Sequence, residues 1–501
     1  MTIPNPLLPG FNPDPSVCRV GEDYYLATST FEYLPGIALY HSRDFATWRQ
    51  IGNVATRPGQ LAVAAVATGG GAWAPTIRHR DGVFYLVITD AFGRGTLLFT
   101  ATDPAGPWSD GLVFDGIDGI DPDLAWDDDG QAVMTFSGLG VNPALPTFMQ
   151  HRGLLQAKVD LSTATALEAP RSVWSGVGGQ FPEAPHLYHI GQWWYLVIAE
   201  GGTERGHSVS VARGPSPAGP FEAAPGTPLL TARGTNRPVQ CTGHGDLVQL
   251  ADGSWRLVLL GVRPRQGAAG FSALGRETFS VPVTWSDDGW PVFEPVPLDP
   301  RPGEAAWRED FDGAALGPEW LAVRRLPAEL PGAGLAGRAS WLELAGDGST
   351  LSDLVPVFLG RRQLNQTATV KALLDVSAGV GGLAVRYDEK FHYAIAAGGG
   401  QVTATAHVGD IEQVVSRPWA GDPRAVELEI ASRPPEGGFT PSSDQVELAA
   451  WAGAERHVIA AFDGRFLSCE VAHSFTGRVV GVFAQQGQVA VDYVDYRGNN
   501  D

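Results

Sequence analysis

Five times in the first 260 residues a tight turn runs into a short stretch of apolar and aromatic residues. The copies are Gly21-Glu22-Asp23-Tyr24-Tyr25-Leu26, Asp81-Gly82-Val83-Phe84-Tyr85-Leu86, Asp129-Gly130-Gln131-Ala132-Val133-Met134, Gly191-Gln192-Trp193-Trp194-Tyr195-Leu196 and Asp252-Gly253-Ser254-Trp255-Arg256-Leu257. A turn glycine feeding a strand-forming run predicts a β-hairpin at each copy. The copies recur roughly every 50 to 60 residues, the spacing of propeller blades carrying a few long loops. The pattern stops near Phe293, and residues 294–304 (Glu-Pro-Val-Pro-Leu-Asp-Pro-Arg-Pro-Gly-Glu) carry four prolines without apolar periodicity. Such a stretch reads as a semi-rigid linker. Beyond it, short alternating segments at 341–344, 368–372, 382–387, 392–395 and 479–483 predict half-buried strands packed as a β-sandwich. The expected fold class is therefore all-β: a five-bladed β-propeller over 1–297, a linker over 298–309 and a β-sandwich accessory domain over 310–501.

In a propeller the first strand of each blade lines the axis. Counting back about seven to nine residues from each turn glycine reaches Asp14, Trp73, Asp121, Glu183 and His244, which are thus expected to converge at one mouth. Taken singly, Asp14-Pro15 and Asp121-Pro122 read as turn chemistry, because Asp bonds nearby amides and Pro presets φ. Their shared phase favours the axis, since a turn residue has no reason to sit in the strand ahead of its turn. Three carboxylates delivered to one point of a circular repeat predict a catalytic pocket.

Composition narrows the partners. A chain of 501 residues is too long for one core. Lys+Arg of 35 against Asp+Glu of 55 gives −20, which argues against nucleic acid or an anionic membrane and leaves neutral or cationic ligands. The 63 Gly, 38 Pro and 15 Trp suit a turn-rich β protein whose aromatic planes match sugar rings, although most tryptophans belong to cores. There is no run of about 18 apolar residues. The N-terminal Met1-Thr2-Ile3-Pro4-Asn5-Pro6 shows no basic segment followed by an apolar one, so the expected setting is cytoplasmic. Cys18, Cys241 and Cys469 have neither metal-ligand spacing nor the density of a disulfide framework. Other motifs are weak: Gly379-Val380-Gly381-Gly382 precedes no helix, Asn365-Gln366-Thr367 is a chance sequon, and no serine sits in a nucleophile elbow.

The stretch Asn5-Pro6-Leu7-Leu8-Pro9-Gly10-Phe11-Asn12-Pro13-Asp14-Pro15-Ser16 resembles the opening of a glycoside hydrolase family 43 β-xylosidase. The resemblance continues through Trp73-Ala74-Pro75, Gly119-Ile120-Asp121, Glu183-Ala184-Pro185-His186, Ala199-Glu200-Gly201-Gly202-Thr203, Gly243-His244 and Leu274-Gly275-Arg276-Glu277-Thr278, and more weakly into the second domain. It implies hydrolysis of glycosidic bonds with inversion, with Asp14 as general base, Glu183 as general acid and Asp121 as the carboxylate that orients the acid and keeps its pKa high. It further implies that Arg276 binds sugar hydroxyls, that Phe31 and Trp73 wall the pocket, and that Phe475 leans in from the sandwich to cap it. His244 matches an axial histidine that in some relatives holds calcium through water; one imidazole is weak evidence for a cation that prefers several oxygens, so no cofactor is expected to be required. Two departures stand out: Thr76 where the family often has an acid, and a divergent segment 138–153 containing Pro143, Pro146, Met149 and His151. The expected activity is release of xylose from β-1,4-xylo-oligosaccharides, with α-L-arabinofuranosidase activity as the alternative and a non-catalytic carbohydrate-binding propeller as the alternative of another class. Expected partners are an oligosaccharide and, by the habit of such two-domain enzymes, further copies of the chain.

Overall fold

The computed structural model describes residues 3–142, 145–298, 305–335, 338, 340–435 and 442–499, with backbone alone at 140–142 and 145–150. All five predicted hairpins are present. Their turn glycines, Gly21, Gly82, Gly130, Gly191 and Gly253, all have φ between 63° and 86°, a left-handed conformation that a side chain would oppose. Each hairpin opens an antiparallel sheet of four or five strands, and the innermost strands are Ser16–Val20, Gly71–Arg80, Gly119–Trp126, Glu183–Ile190 and Gln240–Gln249. The blades pack through apolar layers such as Ile77, Leu86, Ile88, Leu97 and Phe99 between blades 1 and 2. Burying aliphatic side chains at roughly 25 cal/mol per Å² is what holds one blade to the next.

The inner strands are not regular. Residues Asp14, Ala74, Asp121, Ala184 and His244 all have positive φ, between 42° and 55°, and pairing slips beside the last four of them. A bulge with a left-handed residue bends the strand and re-aims its side chains. The five-fold equivalence therefore runs through Asp14, Ala74, Asp121, Ala184 and His244. Trp73 and Glu183 sit one residue ahead of it, because the hairpins differ in length and a count of seven to nine residues from the turn glycine fixes the position only to within a residue or two. Two residues beyond these positions lie Ser16, Thr76, Asp123, His186 and Asp246, all buried. Thr76, where an acid was noted as absent, belongs to this second tier. Arg78 joins it, pairing with Asp123 at 2.7 Å and Asp246 at 3.0 Å and so offsetting part of their charge below the mouth.

The second domain is a sandwich built on two long strands, Thr367–Arg386 and Val479–Asn499, which pair with each other and cross from one layer to the other. The segments expected at 368–372 and 382–387 are thus one strand. Its first half alternates half-buried and buried positions, as the sequence pattern requires. The strand Ala305–Glu309 pairs with Val479–Asn499, so the sandwich begins inside the 298–309 stretch read as linker: its alternating Ala-Ala-Trp-Arg-Glu was overshadowed by the prolines before it. Residues 299–304 lie outside the described residues. The domains share a sheet edge, with Tyr33–Leu34 of the propeller pairing to Leu321–Val323 of the sandwich. No described helix is long and apolar enough to cross a membrane.

The loop that carries Phe475 ends at Arg478, fully buried against Asp444 with contacts of 2.6 and 2.8 Å. Arg478 also donates to the carbonyls of Leu467 and Gly464. Replacing Asp444 by Ala leaves an uncompensated buried guanidinium, so the sandwich should lose about 3–5 kcal/mol in denaturant unfolding. A loss below about 1 kcal/mol would show that the pair does not secure this loop.

Candidate active site

The bulged ends of the inner strands open on a cavity of about 540 Å³, within the range of small-molecule sites. All eight residues singled out from sequence line it: Asp14, Phe31, Trp73, Asp121, Glu183, His244, Arg276 and Phe475. The floor is aromatic. Phe31 stacks on Phe475 at 5.7 Å, and Trp73 meets Phe475 edge-on at 5.7 Å. Trp73 is fixed by its indole N–H, which donates to the Gly69 carbonyl at 2.6 Å. Phe475 comes from the sandwich, so neither domain alone encloses the cavity.

The three acids are buried but differently partnered. Asp14 Oδ1 lies 3.1 Å from Arg276 Nη1 and 3.5 Å from His244 Nδ1, while Oδ2 accepts a 2.6 Å hydrogen bond from Ser29 Oγ. Burial alone would raise its pKa, yet the Arg276 charge, His244 and the Ser29 bond together hold it below the ordinary value. Among the described residues Asp121 accepts only the Ala184 amide, at 3.0 Å. Burial, then the negative charge of Asp14, pushes it up to about 7. Glu183 is raised well above its ordinary value by burial and then by Asp121 and Asp14. The mouth therefore holds one carboxyl, Asp14, that gives up its proton more readily than usual, beside two, Asp121 and Glu183, that hold theirs more tightly.

Arg276 links this electrostatics to the walls. Besides Asp14 it donates to Thr203 Oγ1 at 3.0 Å and to the Phe475 carbonyl at 3.1 Å, with its guanidinium over the Phe31 and Phe475 rings. Two histidines close the remaining side. His207 donates from Nδ1 to the Cys241 carbonyl, and burial lowers its pKa to about 4; His244 is lowered by burial to about 3. Both are neutral. His244 Nδ1 faces Asp14, and among the described residues no three His, Cys, Asp or Glu side chains are grouped to hold a metal. His151, from the divergent segment, stands 4.0 Å from Glu183; the side chains of residues 140–150 lie outside the described residues.

Sequence reasoning missed Ser29, His207 and Phe181, the last a lining residue set edge-on to His151. Ser29 directly follows the strand Asp23–Thr28 and His207 directly precedes the strand Ser208–Gly214; both are ordinary polar residues that only the fold brings to the axis. Thr203 was visible inside its Gly-Gly-Thr motif but carried no assignment. The arrangement offers one strong acceptor, one proton donor and a cationic anchor around a space walled by aromatic rings, a combination suited to cleaving a polar, ring-shaped substrate by acid–base chemistry.

Comparison with known proteins gives a consistent picture. The profile described as Glycosyl hydrolases family 43 matches residues 3–291, and that of the beta xylosidase C-terminal concanavalin A-like domain matches residues 308–497. The chain is 37% identical over 527 residues to a non-reducing end alpha-L-arabinofuranosidase of Bacteroides ovatus, covering 99% of this chain and 94% of that one. A putative beta-xylosidase of Escherichia coli is 35% identical over 72% of each chain. The crystal structure of a xylan beta-1,4-xylosidase from Bacillus halodurans matches with a TM-score of 0.88 and 30% identity, over 99% of this chain and 100% of that one.

The raised Glu183 pKa has a stability consequence. Below the unfolded pKa of about 4.3 both states are protonated and folding is unaffected; as pH rises through the raised folded value, ionisation favours the unfolded chain. Glu183→Gln mimics the neutral acid. It should raise Tm at pH 8 by about one to a few degrees and leave it unchanged near pH 4. An equal shift at both pH values would mean that Glu183 is not held protonated.

Proposed function

The chain belongs to glycosyl hydrolases family 43, and from that premise we propose that it is an exo-acting, inverting enzyme releasing xylose from the non-reducing end of β-1,4-xylo-oligosaccharides. The observation that carries the proposal is the opposite displacement of Asp14 and Glu183. Two carboxyls at one mouth with pKa values driven apart supply a base and an acid at the same pH. Asp14 takes a proton from water as the water oxygen attacks the anomeric carbon. The glycosidic bond breaks, its electron pair leaves on the exocyclic oxygen, and Glu183 protonates that oxygen. Asp121 keeps Glu183 protonated by its proximity and orients it through the Ala184 amide, the next residue along.

Exo action is supported by Phe475, which leans in from the sandwich and with Phe31 and Arg276 walls one side of the cavity, favouring entry of a chain end over an internal unit. Arg276 and Thr203 present fixed polar groups for ring hydroxyls, and the aromatic walls exclude water, which strengthens each of these interactions. A purely carbohydrate-binding propeller has no need of a protonated acid beside an ionised one.

A second reading keeps the mechanism and changes the sugar to a terminal α-L-arabinofuranosyl residue. The near full-length match to the arabinofuranosidase of Bacteroides ovatus favours it. Parallel kinetics on xylobiose, an aryl β-xyloside and an aryl α-L-arabinofuranoside decide between the two, and inactivity on all three would overturn both. Asp14→Ala should cut kcat by about 10²–10⁴-fold on every substrate. Glu183→Ala should fall by a similar factor on xylobiose but far less on the activated aryl glycoside, which needs little protonation. Equal losses on both substrates would remove Glu183 from the role of acid.

A further inference from the structure

Phe92 is the most solvent-exposed large hydrophobic residue described, at 74%, and it stands at the rim of the active-site cavity. It also has φ of +61°, a conformation that a bulky aromatic adopts only when its surroundings impose it. The imposing structure is visible. Asp90 accepts the amides of Ala62 and Arg94 at 2.9 and 3.0 Å, and the Gly93 amide donates to the Asp90 carbonyl. A Cβ at Gly93 would lie 2.5 Å from the Asp90 carboxylate. This turn is tightly specified, and its outcome is a phenyl ring held out in water.

The ring is nevertheless oriented. A Cβ on Gly70 would come within 3.1 Å of Phe92 Cδ2, so the ring rests over Gly70, and its centroid lies 6.0 Å from that of Trp73, edge-on at 88°. Trp73 in turn meets Phe475, which stacks on Phe31. The four rings form a continuous row from floor to rim, and Phe92 is the outermost member. Phe92 on blade 2 and Glu183 on blade 4 both line the cavity, on the two blades that flank blade 3, so a leaving group protonated by Glu183 lies in the space that Phe92 borders.

We propose that Phe92 is a specificity-determining residue whose exposed face stacks on the sugar ring of the leaving group, the second unit of the oligosaccharide. The proposal rests on the exo-glycosidase reading of the cavity. An exposed ring in a strained backbone contributes nothing to a core, whereas a fixed aromatic plane at a pocket mouth matches the apolar face of a pyranose. Two-residue substrates gain this contact, and glycosides with a small leaving group do not reach it.

The test compares two substrates of the same sugar in the intact enzyme: the disaccharide, and the methyl glycoside, whose methanol is too short to reach the rim. Phe92→Ala should raise KM for the disaccharide by about tenfold with kcat little changed, and leave the methyl glycoside within about twofold. Phe92→Trp should retain parental values on both. Phe92→Gly, which relieves the positive φ, should melt no lower than the parent while sharing the alanine variant's loss on the disaccharide. Equal losses on both substrates, a lower melting temperature of the glycine variant, or an unchanged KM for the disaccharide would each overturn the proposal. Parent enzyme inactive on xylosides and arabinofuranosides alike would instead overturn the reading beneath it.

Discussion

A single buried cation set against three buried carboxyls governs this molecule. Arg276 touches Asp14 and neither of the other two acids. Burial penalises ionisation of all three, and Arg276 offsets it at each, but only Asp14 touches the guanidinium and has a hydroxyl donor besides, so its pKa falls while those of Asp121 and Glu183 rise. Remove that asymmetry and the three groups become equivalent, with no division between a group that accepts a proton and one that supplies it. The same guanidinium donates to the Phe475 carbonyl, which ties the sandwich into the pocket through the residue that sets the charge balance.

The propeller supplies the geometry for this at a cost in strain. Five left-handed residues, one per blade, tilt the inner strands at the mouth, and backbone of that kind persists only where its surroundings over-determine it. Below them Ser16, Asp123, His186 and Asp246 are linked to one another or to Arg78, with Thr76 buried in the same tier. The axis is therefore polar throughout but divided: two acids bridged by one arginine beneath, three acids facing one arginine above. Stability resides in the lower tier and in the apolar layers between blades, while the upper tier holds groups whose ionisation works against folding.

Much of this was legible in the chain, for identifiable reasons. Turn glycines must accommodate positive φ, so Gly21, Gly82, Gly130, Gly191 and Gly253 announce their hairpins, and the repeat then brings Asp14, Asp121 and Glu183 together without reference to any relative. Phe475 was reachable only through family resemblance, since nothing local marks it as facing a cavity 200 residues away in sequence. The bulges leave no compositional trace, and the hairpins differ in length, so counting from the turn places Trp73 and Glu183 one position off the true repeat. Ser29 and His207 were invisible for a related reason: their roles depend on the oxygen or carbonyl opposite them, and that is a property of the fold. The end of the linker was misjudged because proline is a louder signal than five alternating residues.

The division of labour between Asp14 and Glu183 has one direct stereochemical consequence. A base that activates water on one face of the sugar and an acid that serves the other must invert the anomeric centre in a single step. Proton NMR of the first-formed product, recorded before mutarotation, measures this without any mutation. Xylose released from a β-xyloside should appear as the α anomer, or arabinose from an α-arabinofuranoside as the β anomer; initial appearance of the substrate's own anomer would contradict the account.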